Sequence, residues 1–169
     1  MQIYFLGIAG TAMGNAAILL KELGHEVYGS DENIYPPMSD ILERGALTVF
    51  QGFDAKRLLE LNPDLVVVGN AISRGNVELE WLLDSRACAM ISLPQLLNDF
   101  LLKNKDTLVI TGTHGKTTTA TIAAYLLEAN EDKPGWFIGG VPKSLANGAQ
   151  IGKGENFVIE GDEYDSAFF

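Results

Sequence analysis

The sequence predicts an α/β protein whose first part is a doubly wound, mostly parallel sheet and whose second part begins another α/β domain. Two observations predict this. Short apolar runs alternate with amphipathic runs through the first hundred residues, and such alternation builds parallel sheets with right-handed crossovers. In addition, two glycine-rich turns each follow an apolar run and precede a helical pattern. We therefore expect a Rossmann-like first part, followed by the start of a P-loop ATPase-type domain.

Five strands and five helices are expected in the first part. The strands are predicted at residues 3–6, 26–29, 47–50, 65–68 and 87–91. The helices are predicted at residues 12–23, 37–44, 55–61, 77–85 and 94–102. Gly24 and Gly45 follow the first two helices directly, as glycines at helix C-termini commonly do, and Pro37 opens the second. The wholly apolar run at 65–68 is typical of a strand covered on both faces.

A polar stretch, Lys103-Asn104-Lys105-Asp106, separates the two parts, so we predict domains at residues 1–104 and 105–169. In the second domain we predict strands at 107–110, 136–138 and 156–159, a helical run at 120–129 and a glycine-rich loop at 147–154. These few elements are too little to build a nucleotide-hydrolysing α/β domain, for which about 100–150 residues are typical. We therefore expect the chain to be a piece of a longer enzyme.

Composition excludes several classes of protein. No apolar run approaches the roughly 18 residues of a membrane span, and the N-terminus lacks the basic region of a signal peptide. Cys88 is the only cysteine, so no internal disulfide can form, which fits a reducing, cytoplasmic setting. The net charge of −10 argues against nucleic acid and anionic membrane as partners.

The second glycine turn has the pattern of a triphosphate-binding loop. It reads Thr111-Gly112-Thr113-His114-Gly115-Lys116-Thr117 and lies between a strand and a helix. Backbone N–H groups in such a turn face the phosphates, the lysine neutralises phosphate charge, and the threonine hydroxyl lies where a phosphate-bound Mg²⁺ would sit. The consensus has a further glycine where this chain has Ile110, so the loop is a shortened variant. The alternative is an ordinary glycine turn before a helix.

The first glycine turn, Gly7-Ile8-Ala9-Gly10-Thr11-Ala12-Met13-Gly14, departs from the dinucleotide fingerprint because Ala9 stands at its second glycine. The turn still offers N–H groups at a helix N-terminus, which suit a diphosphate. Asp31 follows the second strand, where a Rossmann domain places its ribose-binding acid. We expect a nucleotide diphosphate site. The alternatives are a turn whose glycines serve packing and an Asp31 that only forms a turn or cap.

Two such loops in tandem, the second reading Gly-Thr-His-Gly-Lys-Thr-Thr-Thr, resemble the Mur ligases, the ATP-dependent amide-forming enzymes of bacterial peptidoglycan. The likeness covers essentially the whole chain. Within the family, three segments are similar to the branch that joins L-alanyl-γ-D-glutamyl-meso-diaminopimelate to UDP-N-acetylmuramate during peptidoglycan recycling. They read Tyr35-Pro36-Pro37-Met38-Ser39, Gly69-Asn70-Ala71-Ile72-Ser73-Arg74-Gly75-Asn76, and Glu160 through Phe169. The alanine-adding branch would have Ser at Tyr164, and the Ala associated with the last motif is replaced by Gly161.

The resemblance implies roles for individual residues. It implies that the UDP-sugar is bound by Gly10, Thr11, Ala12, Met13, Gly14, Ser30, Asp31, Asn70, Ala71 and Ile72. It implies that ATP is bound by Gly112, Thr113, His114, Gly115, Lys116, Thr117 and Thr118, with Lys116 as the catalytic cation. Thr117 and Glu160 are the implied Mg²⁺ ligands. For Asp162 and Glu163 two roles remain, support of the metal site or a structural role. For Gly139-Gly140 the two possibilities are admitting the muramyl group close to the backbone and forming a plain turn.

The resemblance also implies three domains, of which this chain carries the UDP-sugar domain and the opening of the ATP domain. The implied substrates are UDP-N-acetylmuramate, ATP and a murein peptide, with Mg²⁺ as cofactor. These 169 residues alone are expected to form no amide bond. The alternatives are an alanine-adding ligase and, in other classes, an NAD-dependent oxidoreductase or a non-catalytic nucleotide-binding module.

Overall fold

The computed structural model describes residues 1–139, 145 and 147–161. The chain divides into two compact units, Met1–Leu96 and Leu97–Phe169. The boundary expected near residue 104 lies inside the second unit.

The first unit contains a five-stranded parallel sheet, as the strand–helix alternation predicts. Its strands, in chain order, are β1 Gln2–Leu6, β2 Glu26–Asp31, β3 Thr48–Gln51, β4 Leu65–Val68 and β5 Ala89–Ser92. Their spatial order is β3-β2-β1-β4-β5, and every neighbouring pair is parallel. The order reverses between β1 and β4, and ligands of open α/β sheets bind at the carboxyl ends of the strands at such a point. The Rossmann-like prediction is confirmed.

The helices of the first unit follow the strands. They are α1 Thr11–Glu22, α2 Met38–Arg44, α3 Ala55–Leu61 and α4 Val77–Ser85. At the division between the units, the helix predicted at 94–102 forms as α5 Leu93–Leu97 followed by a π-helical turn, Asn98–Leu102. The carboxylate of Asp54 caps α3 and the side chain of Asn76 caps α4, which satisfies N–H groups in their first turns.

The two central strands form the floor of the first core. Ile3, Tyr4, Phe5 and Leu6 of β1 are completely buried, and β4 beside them is buried over most of its length. A strand covered on both faces needs a continuous apolar run, which is what the sequence supplies at both places. The buried strands hold the loops at their carboxyl ends in fixed positions.

The second unit contains β6 Asp106–Ile110, α6 Lys116–Ala129, β7 Gly135–Phe137, β8 Ala149–Gln150 and β9 Asn156–Glu160. The sheet order is β6-β9-β7-β8, in which β6, β9 and β7 are parallel and β8 is antiparallel to β7. The glycine-rich loop predicted at 147–154 therefore contains a short strand. Trp136, Val158, Ala120 and Ala124 form the buried core of this unit.

No helix in the described part of the chain is long and apolar enough to cross a lipid bilayer.

Candidate functional site

The first glycine turn leaves the N-terminus of α1 open to an anion. Gly7 has a φ of +91°, which favours glycine, and its N–H and that of Ile8 donate to the Ser30 carbonyl at 2.8 and 3.1 Å. Gly10, the N-cap residue of α1, has an extended conformation and provides no side-chain cap. N–H groups in a first helical turn have no intrahelical acceptor and lie at the positive end of the helix dipole. This geometry suits a diphosphate.

The five residues predicted to hold the diphosphate differ in exposure. Gly10 and Thr11 are exposed and Ala12 is half-buried, whereas Met13 and Gly14 are buried. The Gly14 N–H donates to the Gly10 carbonyl at 2.8 Å, and a Cβ at position 14 would overlap the Met38 side-chain methyl. Packing of α1 against α2 thus accounts for the glycine at position 14. Its predicted contact with the diphosphate stays a prediction.

Asp31, predicted to touch the ribose or uracil, holds the first glycine turn in place. Its Oδ2 accepts a hydrogen bond from the Ala9 N–H at 3.0 Å, and its Oδ1 accepts one from the Asn33 N–H at 3.1 Å. Hydrogen bonds between a carboxylate and an N–H are short and about twice as strong as neutral ones. The carboxylate therefore connects the end of β2 to the turn after β1, and its bond to the Asn33 N–H is the turn contact that the sequence offered as the alternative role.

A cavity of about 670 Å³ opens at the carboxyl ends of the first unit's strands. Asp31, Ala71 and Ile72 are the predicted ligand residues that line it. The other lining residues are Glu32, Asn33, Phe53, Ser73, Arg74, Gly75, Asn76 and Val77. The lining combines the Phe53 ring and the aliphatic side chains of Ile72 and Val77 with several polar and charged groups that could orient a polar ligand.

The turn after β4 lies against the first glycine turn. A Cβ on Gly7 would stand 3.3 Å from the Ile72 side chain, and the Gly69 N–H donates to the Leu6 carbonyl at 2.9 Å. Asn70 and Ala71 lie between Gly69 and Ile72, so the backbone of this turn runs beside the first glycine turn. Their predicted contact with the UDP-sugar stays a prediction.

Ser30, the remaining predicted residue, is completely buried. Its hydroxyl donates to Glu78 Oε2 at 2.5 Å. Because the whole residue is buried, its contact with the ribose stays a prediction.

Glu78 is a buried carboxylate that sequence reasoning missed. Its Oε1 accepts hydrogen bonds from the Tyr4 hydroxyl at 3.0 Å, the Asp54 N–H at 2.9 Å and the Arg57 guanidinium at 3.1 Å. Arg57 also lies 4.4 Å above the Phe50 ring. Burial is the main cause that raises the pKa of Tyr4 from 10.0 to about 12, so its hydroxyl remains a proton donor. The position of Glu78 in the first turn of α4 gave no signal of burial.

The second glycine turn joins β6 to α6, as predicted. Gly112 and Gly115 have φ values of +141° and +78°, and Gly115 begins α6 with no side-chain cap. The Lys116 ammonium donates to the Gly112 carbonyl at 2.7 Å, and His114 Nδ1 lies 3.2 Å from the Thr113 hydroxyl. The loop thus combines an uncapped helix N-terminus with a cation, and it is exposed over most of its length.

Glu160, the second implied Mg²⁺ ligand, lies beside this loop. Ile110 of β6 pairs with Glu160 of β9, and the Thr117 hydroxyl donates to Glu160 Oε1 at 2.8 Å. The Gly139 N–H donates to Glu160 Oε2 at 2.8 Å, a contact that the sequence did not reveal. Gly140, Asp162, Glu163 and the remainder of the motif 160–169 beyond Gly161 lie outside the described residues.

The two proposed metal ligands are therefore adjacent. Among the described residues, no group of three or more His, Cys, Asp or Glu side chains could hold a metal by itself. Mg²⁺ is commonly bound by one or two carboxylates together with substrate phosphates and water. A hydroxyl and a carboxylate oxygen beside a phosphate loop fit that ligand set.

Comparisons with known proteins give concordant results. The profile of the "Mur ligase family, catalytic domain" matches residues 2–105. Over 169 residues the chain is 52% identical to the UDP-N-acetylmuramate–L-alanyl-gamma-D-glutamyl-meso-2,6-diaminoheptandioate ligase of Escherichia coli (strain K12), covering all of this chain and 36% of that protein. It is 37% identical to the UDP-N-acetylmuramate–L-alanine ligase of Paracoccus denitrificans (strain Pd 1222), covering 98% of this chain and 34% of that protein.

A solved structure agrees in fold. The crystal structure of the UDP-N-acetylmuramate:L-alanyl-gamma-D-glutamyl-meso-diaminopimelate ligase from Neisseria meningitides superimposes with a TM-score of 0.91 at 43% identity, over 99% of this chain and 54% of that chain. The chain spans about a third of the length of the curated relatives described above.

Proposed function

The chain belongs to the Mur ligase family, and from this we propose that it supplies the nucleotide sites of an ATP-dependent, ADP-forming peptide ligase. The proposed reaction joins L-alanyl-γ-D-glutamyl-meso-diaminopimelate to UDP-N-acetylmuramate. The observation that carries the proposal is the 52% identity, along the whole chain, to the Escherichia coli enzyme named for that reaction. We further propose that the reaction serves peptidoglycan recycling in the bacterial cytoplasm.

The sugar nucleotide is proposed to bind at the carboxyl edge of the first sheet. The N–H groups of Thr11 and Ala12 face the diphosphate, and the 670 Å³ cavity takes the nucleoside. This proposal is supported by Asp31 and Ile72, which line that cavity and also lie against the glycine turn.

ATP is proposed to bind at the N-terminus of α6. The loop Gly112–Thr118 surrounds the phosphates, and the Lys116 ammonium, now on the Gly112 carbonyl, turns to the terminal phosphate. This assignment is supported by Gly112 and Gly115, whose positive φ values favour glycine and whose lack of a Cβ lets the backbone approach an anion closely.

Thr117 and Glu160 are proposed to hold Mg²⁺ together with the ATP phosphates. When bound, the metal ion neutralises charge that develops on the transferred phosphoryl group. The chain's own contribution is orientation. The Gly139 N–H fixes one carboxylate oxygen of Glu160, which leaves the other beside the Thr117 hydroxyl.

The proposed chemistry follows from the nature of a carboxylate, which is a poor electrophile. Transfer of the ATP γ-phosphoryl group to the lactyl carboxylate gives an acyl phosphate and ADP. The peptide's amine then attacks the acyl carbon, and phosphate leaves from the tetrahedral intermediate. This chain positions the two nucleotides and, through Lys116, offsets the charge of the phosphoryl group in transfer.

The second candidate is the alanine-adding reaction, which the 37% identity to the Paracoccus denitrificans enzyme supports. An acceptor assay on the whole enzyme separates the two. With UDP-N-acetylmuramate and Mg²⁺–ATP present, we expect ADP release with the tripeptide and little with L-alanine. Preference for L-alanine would replace the proposed function with the second candidate, and failure of UDP-N-acetylmuramate to bind would contradict both.

A further inference from the structure

The buried carboxylate of Glu78 adjoins the walls of the cavity at three places in the chain. Ser30, Asp54 and Glu78 belong to one hydrogen-bonded group, and none of them lines the cavity. Their immediate chain neighbours Asp31, Phe53 and Val77 do line it. In each of the three wall segments, the residue next to the lining residue takes part in this hydrogen-bonded group. Ser30 and Asp54 both donate to the carboxylate of the third, Glu78.

The two carboxylate oxygens of Glu78 accept hydrogen bonds from different donors. Oε1 accepts from three donors, the Tyr4 hydroxyl, the Asp54 N–H and the Arg57 guanidinium, at 2.9–3.1 Å. Within the described part of the chain, the partner of Oε2 is the Ser30 hydroxyl. A buried carboxylate without its partners is costly, so the donors are held to the positions that this side chain dictates.

The contact to Ser30 extends to the proposed diphosphate site. The Ser30 carbonyl accepts the N–H groups of Gly7 and Ile8, and the next residue, Asp31, accepts that of Ala9. The first glycine turn is therefore fixed by the same strand end that Glu78 holds from inside the protein.

Resting on the proposed function, we propose that Glu78 is a positioning residue for the sugar-nucleotide site. It contacts no ligand, but it sets the relative positions of the turns after β2 and β3 and of the start of α4. The affinity for UDP-N-acetylmuramate then depends on a side chain whose exposure is zero.

The test compares Glu78→Ala with Glu78→Gln in the 169-residue chain, with binding of UDP-N-acetylmuramate measured by calorimetry. A glutamine keeps an acceptor toward the three donors at Oε1, and its NH₂ can donate to the Ser30 oxygen, so it should bind within about threefold of the unsubstituted chain. Alanine removes the acceptor that these donors share and should weaken binding about tenfold or more. The control is Asp84→Asn, which removes the same charge from an exposed position of α4.

Circular dichroism and the thermal midpoint separate positioning from folding, and binding is measured well below that midpoint. A Glu78→Ala chain that melts earlier but binds with unchanged affinity would overturn the inference, because it would show a purely structural role. If Glu78→Ala does not fold, Tyr4→Phe decides, since it removes one donor to Glu78 at a residue that does not line the cavity. We then expect binding about threefold weaker, and unchanged affinity would overturn the inference.

The failure of this inference can be told from the failure of the proposed function. No binding of UDP-N-acetylmuramate by the unsubstituted chain would overturn the proposed function and the inference together. Normal binding by the unsubstituted chain with equal binding by the folded variants would overturn the inference alone.

Discussion

Three carboxylates organise the loops of the candidate sites through contacts with backbone N–H groups. Asp31 binds the N–H of Ala9, Glu78 that of Asp54, and Glu160 that of Gly139. Each contact joins a strand end or a first helical turn to a loop distant in sequence. Because hydrogen bonds to a charged acceptor are comparatively strong, a single carboxylate can fix a loop that lacks regular structure. Some of the acidic side chains behind the net charge of −10 therefore hold loops of the fold in place.

The role of Lys116 leads to a prediction about ATP. Lys116→Met should weaken binding of Mg²⁺–ATP by about tenfold or more, because an ammonium beside a phosphate makes charge-assisted hydrogen bonds. Calorimetry on the 169-residue chain measures this effect. Lys153→Met removes the same charge from an exposed residue outside the loop and should leave the affinity unchanged. Equal ATP affinity in the Lys116→Met chain would contradict the assignment.

The buried Tyr4 predicts a pH dependence of stability. Its pKa in the folded protein is about 12, above the ordinary value of 10.0. The folded state therefore binds this proton more tightly than the unfolded state, and the resulting stabilisation is complete below pH 10 and lost as the pH rises toward 12. We expect the free energy of unfolding in urea to fall over this range.

The matched variants for this measurement are Tyr4→Phe and Tyr125→Phe. Tyr4→Phe should show a shallower decline, whereas Tyr125→Phe, at an exposed position of α6, should keep the decline of the unsubstituted chain. The same slope in both variants would show that another group causes the pH dependence.

At the scale of elements, local sequence patterns were sufficient to predict most of the strands of the two sheets and the helices that connect them. The apolar runs of β1 and β4 are long enough to be recognised because both faces are buried. β8 was missed because it has two residues, Ala149 and Gln150, and exists through its pairing with β7. The π-helical turn at Asn98–Leu102 was missed because apolar periodicity cannot tell it from a continued α-helix.

The candidate sites divide in the same way. The glycine turns and Lys116 could be predicted because each motif consists of consecutive residues in the sequence. Glu78 could not, since its partner Tyr4 is 74 positions away in the sequence. A glutamate in a first helical turn is ordinarily explained by the helix dipole.

The packing of α1 against α2 predicts that an added methyl group destabilises the protein more at Gly14 than at Gly10. Helix propensity alone would favour Gly14→Ala by about 1 kcal/mol. A Cβ there would overlap the Met38 methyl and stand 3.1 Å from the Ile8 carbonyl oxygen. We therefore expect a net loss of about 1–3 kcal/mol in the free energy of unfolding, measured in urea.

Gly10→Ala is the matched control. Its φ of −63° is open to any residue, and a Cβ there meets other atoms only at 3.6 Å or more. The change in unfolding free energy should stay below about 1 kcal/mol, as for an N-cap without a side-chain hydrogen bond. A stabilised Gly14→Ala chain would show that the packing argument is wrong.

At the scale of the molecule, the described helices differ in how their N-termini are satisfied. Asp54 and Asn76 cap α3 and α4 with side chains, whereas α1 and α6 begin at glycines that provide no side-chain cap. Each compact unit has one such glycine-led helix directly after a strand of its sheet. An uncapped N-terminus leaves N–H groups for a ligand, and this supports the proposal of one anion site in each unit.

This division predicts two separate footprints in hydrogen exchange. UDP should slow exchange at Thr11, at Ala12 and in the cavity segments 31–33 and 71–77, because ligand binding suppresses local opening of the backbone it contacts. Mg²⁺–ATP should slow exchange in the loop 112–118. The β7–β8 pair is the control and should exchange at the same rate under both conditions. Protection of one common segment by both nucleotides would contradict the assignment of one site to each unit, whereas two distinct footprints would support the nucleotide sites on which the ligase proposal depends.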